Sequence, residues 1–237
     1  MQLFYTPEIS GSTYTLTKEE SKHCARVLRK NIGDILDLTD GKGFFYKAEI
    51  IDASPKATVV NVIDKIPERH KRAFKLHIAI APTKNISRTE WFLEKSTEIG
   101  IDTITPILTF HSERKEVKHE RLLRVITSAM KQSLKATHPV LNEMIRFEEF
   151  ITQPFEGKKY IAYIDDKYND LLGSKYQANE DALILIGPEG DFSAQEVEKA
   201  IALGFEPVSL GSSRLRTETA AVAACHTINL LNDISNV

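Results

Sequence analysis

Residues 181–193 read DALILIGPEGDFS, and this stretch decides the fold. Its first half, 181–186, is a nearly continuous apolar run, which is typical of a strand buried on both faces of a parallel sheet. A loop with two glycines follows the run. Ser193 then forms a capping box with Glu196, which predicts a helix that continues to Leu203. A buried strand, a glycine loop and a helix in this order indicate an α/β unit.

The same alternation extends from this stretch in both directions along the chain. Apolar runs predict strands at 74–81, 104–110, 159–165 and 207–210, and helical periodicity predicts helices at 87–99, 120–135 and 216–231. Strands that alternate with helices favour an α/β domain with a mainly parallel sheet. Ligands of such sheets bind beyond the carboxyl ends of the strands, so the loops at that edge are where we look for a site.

The first seventy residues have a different pattern. A capping box at Thr17 predicts one helix that continues to about Lys30. Alternating polar and apolar residues predict a strand at 34–39, and two runs rich in aromatic and β-branched residues predict strands at 44–51 and 58–63. These elements favour a small β-barrel or a curled sheet. Residues 64–72, DKIPERHKR, have the composition of an exposed linker. We therefore predict two domains, 1–70 and 73–237.

Composition excludes several classes of protein. The 237 residues are 42% hydrophobic and 27% charged, which does not fit a disordered chain, a collagen-like repeat or a coiled-coil rod. The apolar runs are far shorter than the roughly 18 residues that span a bilayer, so we expect a soluble, cytoplasmic protein. Cys24 and Cys225 lack the spacing of metal ligands or of a disulfide framework, and we expect both to be buried.

The net charge of −2 excludes an indiscriminate polyanion binder but leaves a nucleic-acid partner open. Residues 1–72 carry 12 basic against 10 acidic residues, and the remainder carries 19 against 23, so the near-neutral balance is a sum of unlike parts.

Glycine placement directs attention to the late strands. The first strand of the α/β domain ends in APT without a glycine, and neither a dinucleotide loop nor a phosphate loop occurs in the chain. Glycines follow the strands at 181–186 and 207–210 instead, where the backbone can approach a ligand closely. A third segment, SRLRTETA at 213–220, leads from the second of these loops into the last helix.

Three interpretations of these segments remain open on the residues alone. The first is structural: the threonines and Glu218 are suited to capping the last helix, with the arginines as surface charges. The second is a nucleotide-cofactor enzyme. A pure RNA-binding module ranks behind that enzyme, because a binding module does not need two backbone-access loops at adjacent strand ends.

These segments resemble a known family. GPEGDFS at 187–193, LG at 210–211 and LRTETA at 215–220 are similar to the late-strand motifs of the SPOUT methyltransferases, specifically the 16S ribosomal RNA (uracil-N3)-methyltransferase family. The similarity extends upstream through EWFLEKSTEIG, HSER and AMKQS, at 90–100, 111–114 and 129–133. His23, VLR at 27–29 and GD at 33–34 resemble the PUA-like RNA-binding barrel of that family.

The chain departs from the family pattern at a few positions. Asp191 stands where a second glycine is usual, and Ser213-Arg214 stands where an Arg-Ile pair is usual. Gln2 and Lys135 stand where arginines are common.

The resemblance implies a C-terminal trefoil-knotted SPOUT domain, a bound S-adenosyl-L-methionine, no metal, and a homodimer. It also implies N3 methylation of a uridine in 16S ribosomal RNA, with a SPOUT enzyme acting on another RNA position as the alternative. Carried over position by position, it assigns the following residues to the cofactor: Ile186, Gly187, Pro188, Glu189, Gly190, Leu210, Gly211, Ser212, Ser213, Leu215, Arg216 and Thr217.

The chemistry of uridine suggests roles for two more side chains. The N3–H lies on the Watson–Crick edge, so the base must be unpaired or flipped before it is methylated. Arg216 is the candidate that stabilises the charge developing on O2 or O4. Glu218 is either the base or the group that orients Arg216, and we favour the orienting role.

RNA contacts are expected from local basic surfaces. Trp91 lies in a helix of apolar period, so we expect it in the core and not stacked on an RNA base. The RNA-binding candidates are Lys22, Arg26, Arg29 and Lys30 on the first-domain helix, and His111, Ser112 and Arg114 after a strand end.

Overall fold

The computed structural model describes residues 2–68, 72–165 and 167–235. Within these ranges the chain divides into two compact units. The first comprises the residues before the gap at 69–71 together with Thr127–His138, and the second comprises Arg72–Ile126 and the residues from Pro139 onward. The domain limits 1–70 and 73–237 stay a prediction.

A curled five-stranded sheet forms the first unit, in the spatial order β1-β3-β4-β5-β2. All neighbouring strands are antiparallel except β1 and β3. The apolar side of the sheet encloses a core that includes Phe4, Leu38, Ile50 and the free cysteine Cys24. The strands are β1 Leu3–Tyr5, β2 Thr13–Thr15, β3 Ile35–Thr39, β4 Phe44–Asp52 and β5 Val59–Pro67.

Strand β5 is longer than its composition predicts. Its charged second half continues to Pro67 and stays paired with β4, where Phe44 faces Pro67. The expectation of a linker from residue 64 is therefore wrong for 64–67, because alternate side chains of an edge region can be solvated while the backbone remains paired. Residues 69–71 of the expected linker lie outside the described ranges.

The helix of the first unit is shorter than expected. Helix α1, Lys18–Lys22, begins at Thr17, whose hydroxyl accepts a hydrogen bond from the Glu20 amide at 3.3 Å. A wider π-helical turn, His23–Val27, continues it. The helix ends before Arg29, which has a φ of +55°. The expected helical face of four basic residues is therefore wrong: only Lys22 and Arg26 lie on helical backbone.

Residues 127–138 complete the first unit. The Thr39 hydroxyl donates to the carbonyl of Ala136 at 3.2 Å, and the His138 amide donates to the carbonyl of Gly41 at 2.8 Å. The Lys131 ammonium pairs with the carboxylate of Glu20 at 2.5 Å. These bonds attach a distant segment of sequence to the curled sheet.

The second unit is built on a seven-stranded sheet. Its main path runs β12-β10-β11-β6-β7-β8, and β9 also pairs with β7. All of these pairings are parallel, which confirms the predicted α/β class. The strands are β6 Leu76–Ile80, β7 Thr103–Leu108, β8 Val140–Leu141, β9 Ile145–Arg146, β10 Lys158–Ala162, β11 Ala182–Ile186 and β12 Glu206–Val208.

Helices cover both faces of this sheet. One face, with Ile78 and Ile184, packs against Phe92 and Ile228 of two long helices, and the other face carries Leu185 against a second core cluster. The helices of the chain beyond α1 are α2 Ile86–Ile99, α3 His119–Gln132, α4 Phe147–Phe150, α5 Leu172–Lys175, α6 Ala194–Ala202 and α7 Thr217–Ser235.

Strand order positions the site. Strand β11 lies between β10 and β6 and is entirely buried, as its apolar run predicts. Because β10, β11 and β12 are parallel neighbours, the loops after all three leave the sheet at one edge. The trefoil knot stays a prediction. Trp91 of α2 is 43% exposed, so the expectation that it belongs to the core is wrong.

Candidate functional site

A cavity of about 980 Å³ opens at the carboxyl edge of the sheet in the second unit. Its walls come from the segment after β10, the glycine loop after β11, and the loop that joins β12 to α7. Arg88 of α2 completes the lining. Three loops from adjacent parallel strands thus surround one volume, which is where ligands of open α/β sheets bind.

The floor of the cavity is apolar. Ile186 and Val208 are buried strand residues, and Ala162, Leu210 and Ala220 are partly buried against the same core. A flat apolar group is therefore desolvated when it lies on this floor.

Two glycines keep the backbone of the cavity accessible. A Cβ at Gly187 would lie 3.1 Å from the Asp191 carboxylate and the Phe192 ring, a tight contact that would require these neighbours to shift. Gly211 has a φ of +123°, which side chains rarely adopt. Both loops therefore bring their backbone to the cavity without a side chain at these two positions.

Most of the residues predicted for a cofactor converge on this cavity. Eleven of the twelve line it, and Gly190 is placed differently. The structure puts Gly190 against His111, where an added Cβ would lie 3.1 Å from the His111 Cβ. The assignment of these residues to a cofactor stays a prediction.

The charged residues of the last segment separate into exposed and buried members. Arg214 and Arg216 line the cavity with exposed side chains. Glu218 is only 7% exposed, and its Oε1 lies 3.7 Å from Nε of Arg88. Its Oε2 is buried without a hydrogen-bond partner in the part of the chain that the structure describes. The structure thus pairs Glu218 with Arg88, and its orientation of Arg216 stays a prediction.

Sequence reasoning missed Asp191 as a part of the cavity wall. Asp191 has a φ of +60°, a region that suits glycine and is tolerated by aspartate. Its Oδ1 accepts a hydrogen bond from the Phe192 amide at 2.8 Å, and its Oδ2 accepts one from the Ile164 amide at 3.4 Å. Burial raises the pKa of this carboxyl above its ordinary value. The departure from the family glycine was the signal that could have found it.

The wall after β10 was also missed. It includes Tyr163, Asp165, Tyr168 and Leu171, and it carries no glycine motif or helical period. Arg88 was missed because nothing in the sequence brings the first turn of α2 beside α7.

The three RNA-binding candidates after β7 have distinct surroundings. The Ser112 hydroxyl is hydrogen bonded to Thr109 at 2.9 Å, and the Arg114 guanidinium donates to the carbonyls of Thr83 and Lys84. His111 is exposed, and its Nδ1 donates to the carbonyl of Asp191 at 3.0 Å. Ser112 and Arg114 therefore hold loops together, whereas His111 presents its ring to solvent.

The four candidates of the first unit lie at its surface. Lys22, Arg26 and Arg29 are exposed and Lys30 is half-buried. None of them forms an ion pair within residues 2–68, 72–165 and 167–235.

The described residues offer neither a metal-binding cluster nor a membrane-spanning helix. They contain no group of three or more His, Cys, Asp or Glu side chains placed to hold a metal ion. Among the same residues, no helix has the length and apolar content required to cross a membrane.

Comparison with known proteins adds a family to this geometry. Residues 70–229 match the model of an RNA methyltransferase domain, and residues 16–63 match that of an RNA methyltransferase PUA domain. A curated relative from Synechocystis sp., named ribosomal RNA small subunit methyltransferase E, is 31% identical over 97% of this chain and 77% of its own length.

Solved structures agree with this comparison. A protein of Porphyromonas gingivalis, described as a probable rRNA-methyltransferase, superposes with a TM-score of 0.92 and 46% identity over 99% of this chain and 100% of its own. A ribosomal RNA small subunit methyltransferase E of Neisseria gonorrhoeae bound to S-adenosyl methionine gives a TM-score of 0.88 and 27% identity over 98% of both chains.

Proposed function

Because this chain belongs to the RNA methyltransferase family that includes the ribosomal RNA small subunit methyltransferases E, we propose that it methylates N3 of one uridine in 16S ribosomal RNA. It is an S-adenosylmethionine-dependent enzyme. The observation that carries the proposal is the cavity, since eleven residues of three separate sequence segments meet around it.

The residues of the cavity fit this cofactor. Ile186, Val208 and Leu210 offer an apolar floor to an adenine ring, and the loops at Gly187 and Gly211 bring backbone close to its edge without a side chain at these positions. Charged side chains that line the cavity suit the ammonium and carboxylate groups of the methionine part of the cofactor. The bound cofactor supplies a methyl group on a positively charged sulfur.

The residues of the last segment act on the acceptor base. Uridine N3 carries a proton, so negative charge develops on O2 and O4 as that proton leaves. Arg216, exposed at the cavity, donates hydrogen bonds to one of these oxygens and stabilises the charge. Glu218 lies at the start of α7 and is paired with Arg88. We assign it a positioning role, the orientation of Arg216.

The substrate is part of the same proposal. We place the RNA within the small ribosomal subunit, in the cytoplasm, and we take the enzyme to be a homodimer without a metal. Residues 1–70 are the PUA-like RNA-binding domain, and 73–237 form the knotted catalytic domain. Lys22, Arg26, Arg29, Lys30 and His111 contact the RNA, and Ser112 and Arg114 support that contact by fixing the loops beside it.

Replacement of Arg216 by alanine tests the catalytic assignment. Loss of a preorganised donor to a developing oxyanion should lower kcat by about 10²- to 10³-fold. The Kd for S-adenosylmethionine, measured by calorimetry, should stay within about twofold because the apolar floor and glycine loops remain. Activity is measured as transfer of labelled methyl groups to small subunits from a strain that lacks the enzyme.

Arg146→Ala is the matched control, because Arg146 is exposed and does not line the cavity. Unchanged turnover in Arg216→Ala would refute the role of Arg216. Mass spectrometry of ribosomal RNA from the deletion strain identifies the missing nucleoside, and a modified nucleoside other than N3-methyluridine would refute the target. Wild-type protein that binds neither S-adenosylmethionine nor its demethylated product would favour the RNA-binding module.

A further inference from the structure

Asp191 is a carboxylate in the wall of the cavity that the proposed function does not use. It lies at the end of the glycine loop after β11, and it bridges to the wall after β10 through the Ile164 amide. Both of its oxygens already accept backbone hydrogen bonds, from Phe192 at 2.8 Å and from Ile164 at 3.4 Å. Its position is therefore determined by the backbone of two loops.

A cation lies in the same cavity wall as Asp191. Arg214, which also lines the cavity, favours the charged carboxylate and opposes the effect of burial on the pKa of Asp191. Arg214 is exposed, whereas Asp191 is half-buried. The carboxylate is thus the more buried of these two charges.

The cofactor carries its charges in a matching order. Its sulfonium is bonded directly to the ribose carbon, so it is the cation nearest to the nucleoside, and the amino-acid carboxylate lies farther out. A sulfonium donates no strong hydrogen bond, so a carboxylate whose oxygens are engaged with amides can still attract it through space. An ammonium ion, in contrast, is best bound by oxygens with free lone pairs.

We propose that Asp191 makes the cavity selective for the cationic cofactor over its demethylated product, S-adenosylhomocysteine, whose sulfur carries no charge. This inference rests on the proposed function. Transfer of the methyl group removes the positive charge from sulfur, so the attraction to Asp191 is lost in the same step. The residue thereby favours exchange of product for fresh cofactor.

Binding to three ligands tests this inference. Wild type and Asp191→Asn are titrated by calorimetry with S-adenosylmethionine, with S-adenosylhomocysteine and with sinefungin, which has an amine in place of the sulfonium. Asparagine tolerates the positive φ and keeps the size of the side chain while it removes the charge. We expect Asp191→Asn to weaken S-adenosylmethionine about tenfold and S-adenosylhomocysteine less than about twofold. Sinefungin should weaken by an intermediate factor, because its ammonium is attracted through space but finds no free lone pair on Asp191.

Asp191→Gly is the second variant, because glycine also accepts the φ of +60°. It should show the same loss of selectivity if charge is the cause. Asp52→Asn changes the net charge equally, lies outside the cavity, and should leave all three affinities unchanged.

The outcomes separate this inference from the proposed function. Equal weakening of all three ligands in Asp191→Asn would mean that Asp191 only holds the loops, and it would overturn the inference. Unchanged binding of all three would overturn it as well. If wild type binds none of the ligands, the proposed function itself fails.

Discussion

His77 is a partly buried histidine of the second unit. It lies on β6, its Nε2 is hydrogen bonded to the Thr105 hydroxyl at 2.8 Å, and its ring packs edge-on against Phe150. Burial lowers the pKa of His77 to about 4 from its ordinary value of 6.5. The imidazole is therefore neutral at physiological pH and is a structural group.

This lowered pKa predicts a loss of stability in mild acid. Between the two pKa values the unfolded chain binds a proton that the folded chain does not, so stability falls as the pH decreases from about 6.5 toward 4. From about pH 7.5 to pH 5, wild type should lose about 2 kcal/mol more than His77→Gln in urea unfolding. His226→Gln, which replaces an exposed histidine, should lose as much as wild type. Parallel losses in wild type and His77→Gln would contradict the prediction.

At the same scale, sequence spacing shows why one contact was not predictable. Arg216 directly precedes α7 and Glu218 is the second residue of that helix, which made Arg216 the expected partner of Glu218. Glu218 instead faces Arg88, which is 130 positions earlier in the chain. The helix start and its charge pattern were visible in the sequence, but the partner depends on how α2 packs beside α7.

Helix α6 shows how a local motif gains a tertiary role. Its capping box is present as predicted: Ser193 accepts a hydrogen bond from the Glu196 amide at 3.3 Å, and Glu196 accepts one from the Ser193 amide at 2.8 Å. The other carboxylate oxygen of Glu196 accepts a hydrogen bond from the Phe110 amide at 2.8 Å. One buried carboxylate thus joins α6 to the loop after β7.

Two substitutions should separate these contributions to stability. Ser193→Ala removes the cap of one amide and should cost about 1 kcal/mol. Glu196→Ala leaves the amides of Phe110 and Ser193 without their acceptor and should cost more, about 2 kcal/mol. Urea unfolding measures both, and Glu198→Ala on the exposed side of the same helix should change stability by less than about 0.5 kcal/mol. If Glu196→Ala costs no more than Ser193→Ala, the link to Phe110 contributes nothing.

The elements around the cavity differ in how well sequence predicts them. Strand β11 and the glycine loops were predictable, because a buried run and a loop that requires glycine both restrict residue type. The wall after β10 has no such restriction, since residues 163–165 and 167–170 lie outside helices and strands and irregular backbone accepts many residue types. Strand order is set by long-range pairing and cannot be read from local periodicity, so the proximity of β10 to β12 appears only in the structure.

At the scale of the whole molecule, a net charge of −2 has to be reconciled with an RNA substrate. Some cations are already neutralised by acidic side chains, such as Lys47 by Asp37 and Lys131 by Glu20 in the first unit. Arg26 and Arg29 are exposed and form no ion pair with any residue in the described ranges. These two arginines are therefore local cations of the first unit that a phosphate can approach.

The two exposed arginines predict a localised contribution to the salt dependence of RNA binding. Each phosphate contact contributes somewhat less than one to the slope of log K against log salt concentration. Replacement of both Arg26 and Arg29 by alanine should therefore lower that slope by about 1 to 2, with weaker binding of every RNA sequence tested. Fluorescence anisotropy with a labelled fragment of small-subunit RNA, titrated at several salt concentrations, measures it.

Lys47→Ala provides the matched control, because it removes one cation of the same unit that is paired with Asp37. Its slope should equal that of wild type. An unchanged slope in the double variant would show that Arg26 and Arg29 contact no phosphate, and a loss confined to one RNA sequence would show that they read bases instead. A lower slope with uniform weakening supports the view that a nearly neutral enzyme holds its RNA through locally placed unpaired cations.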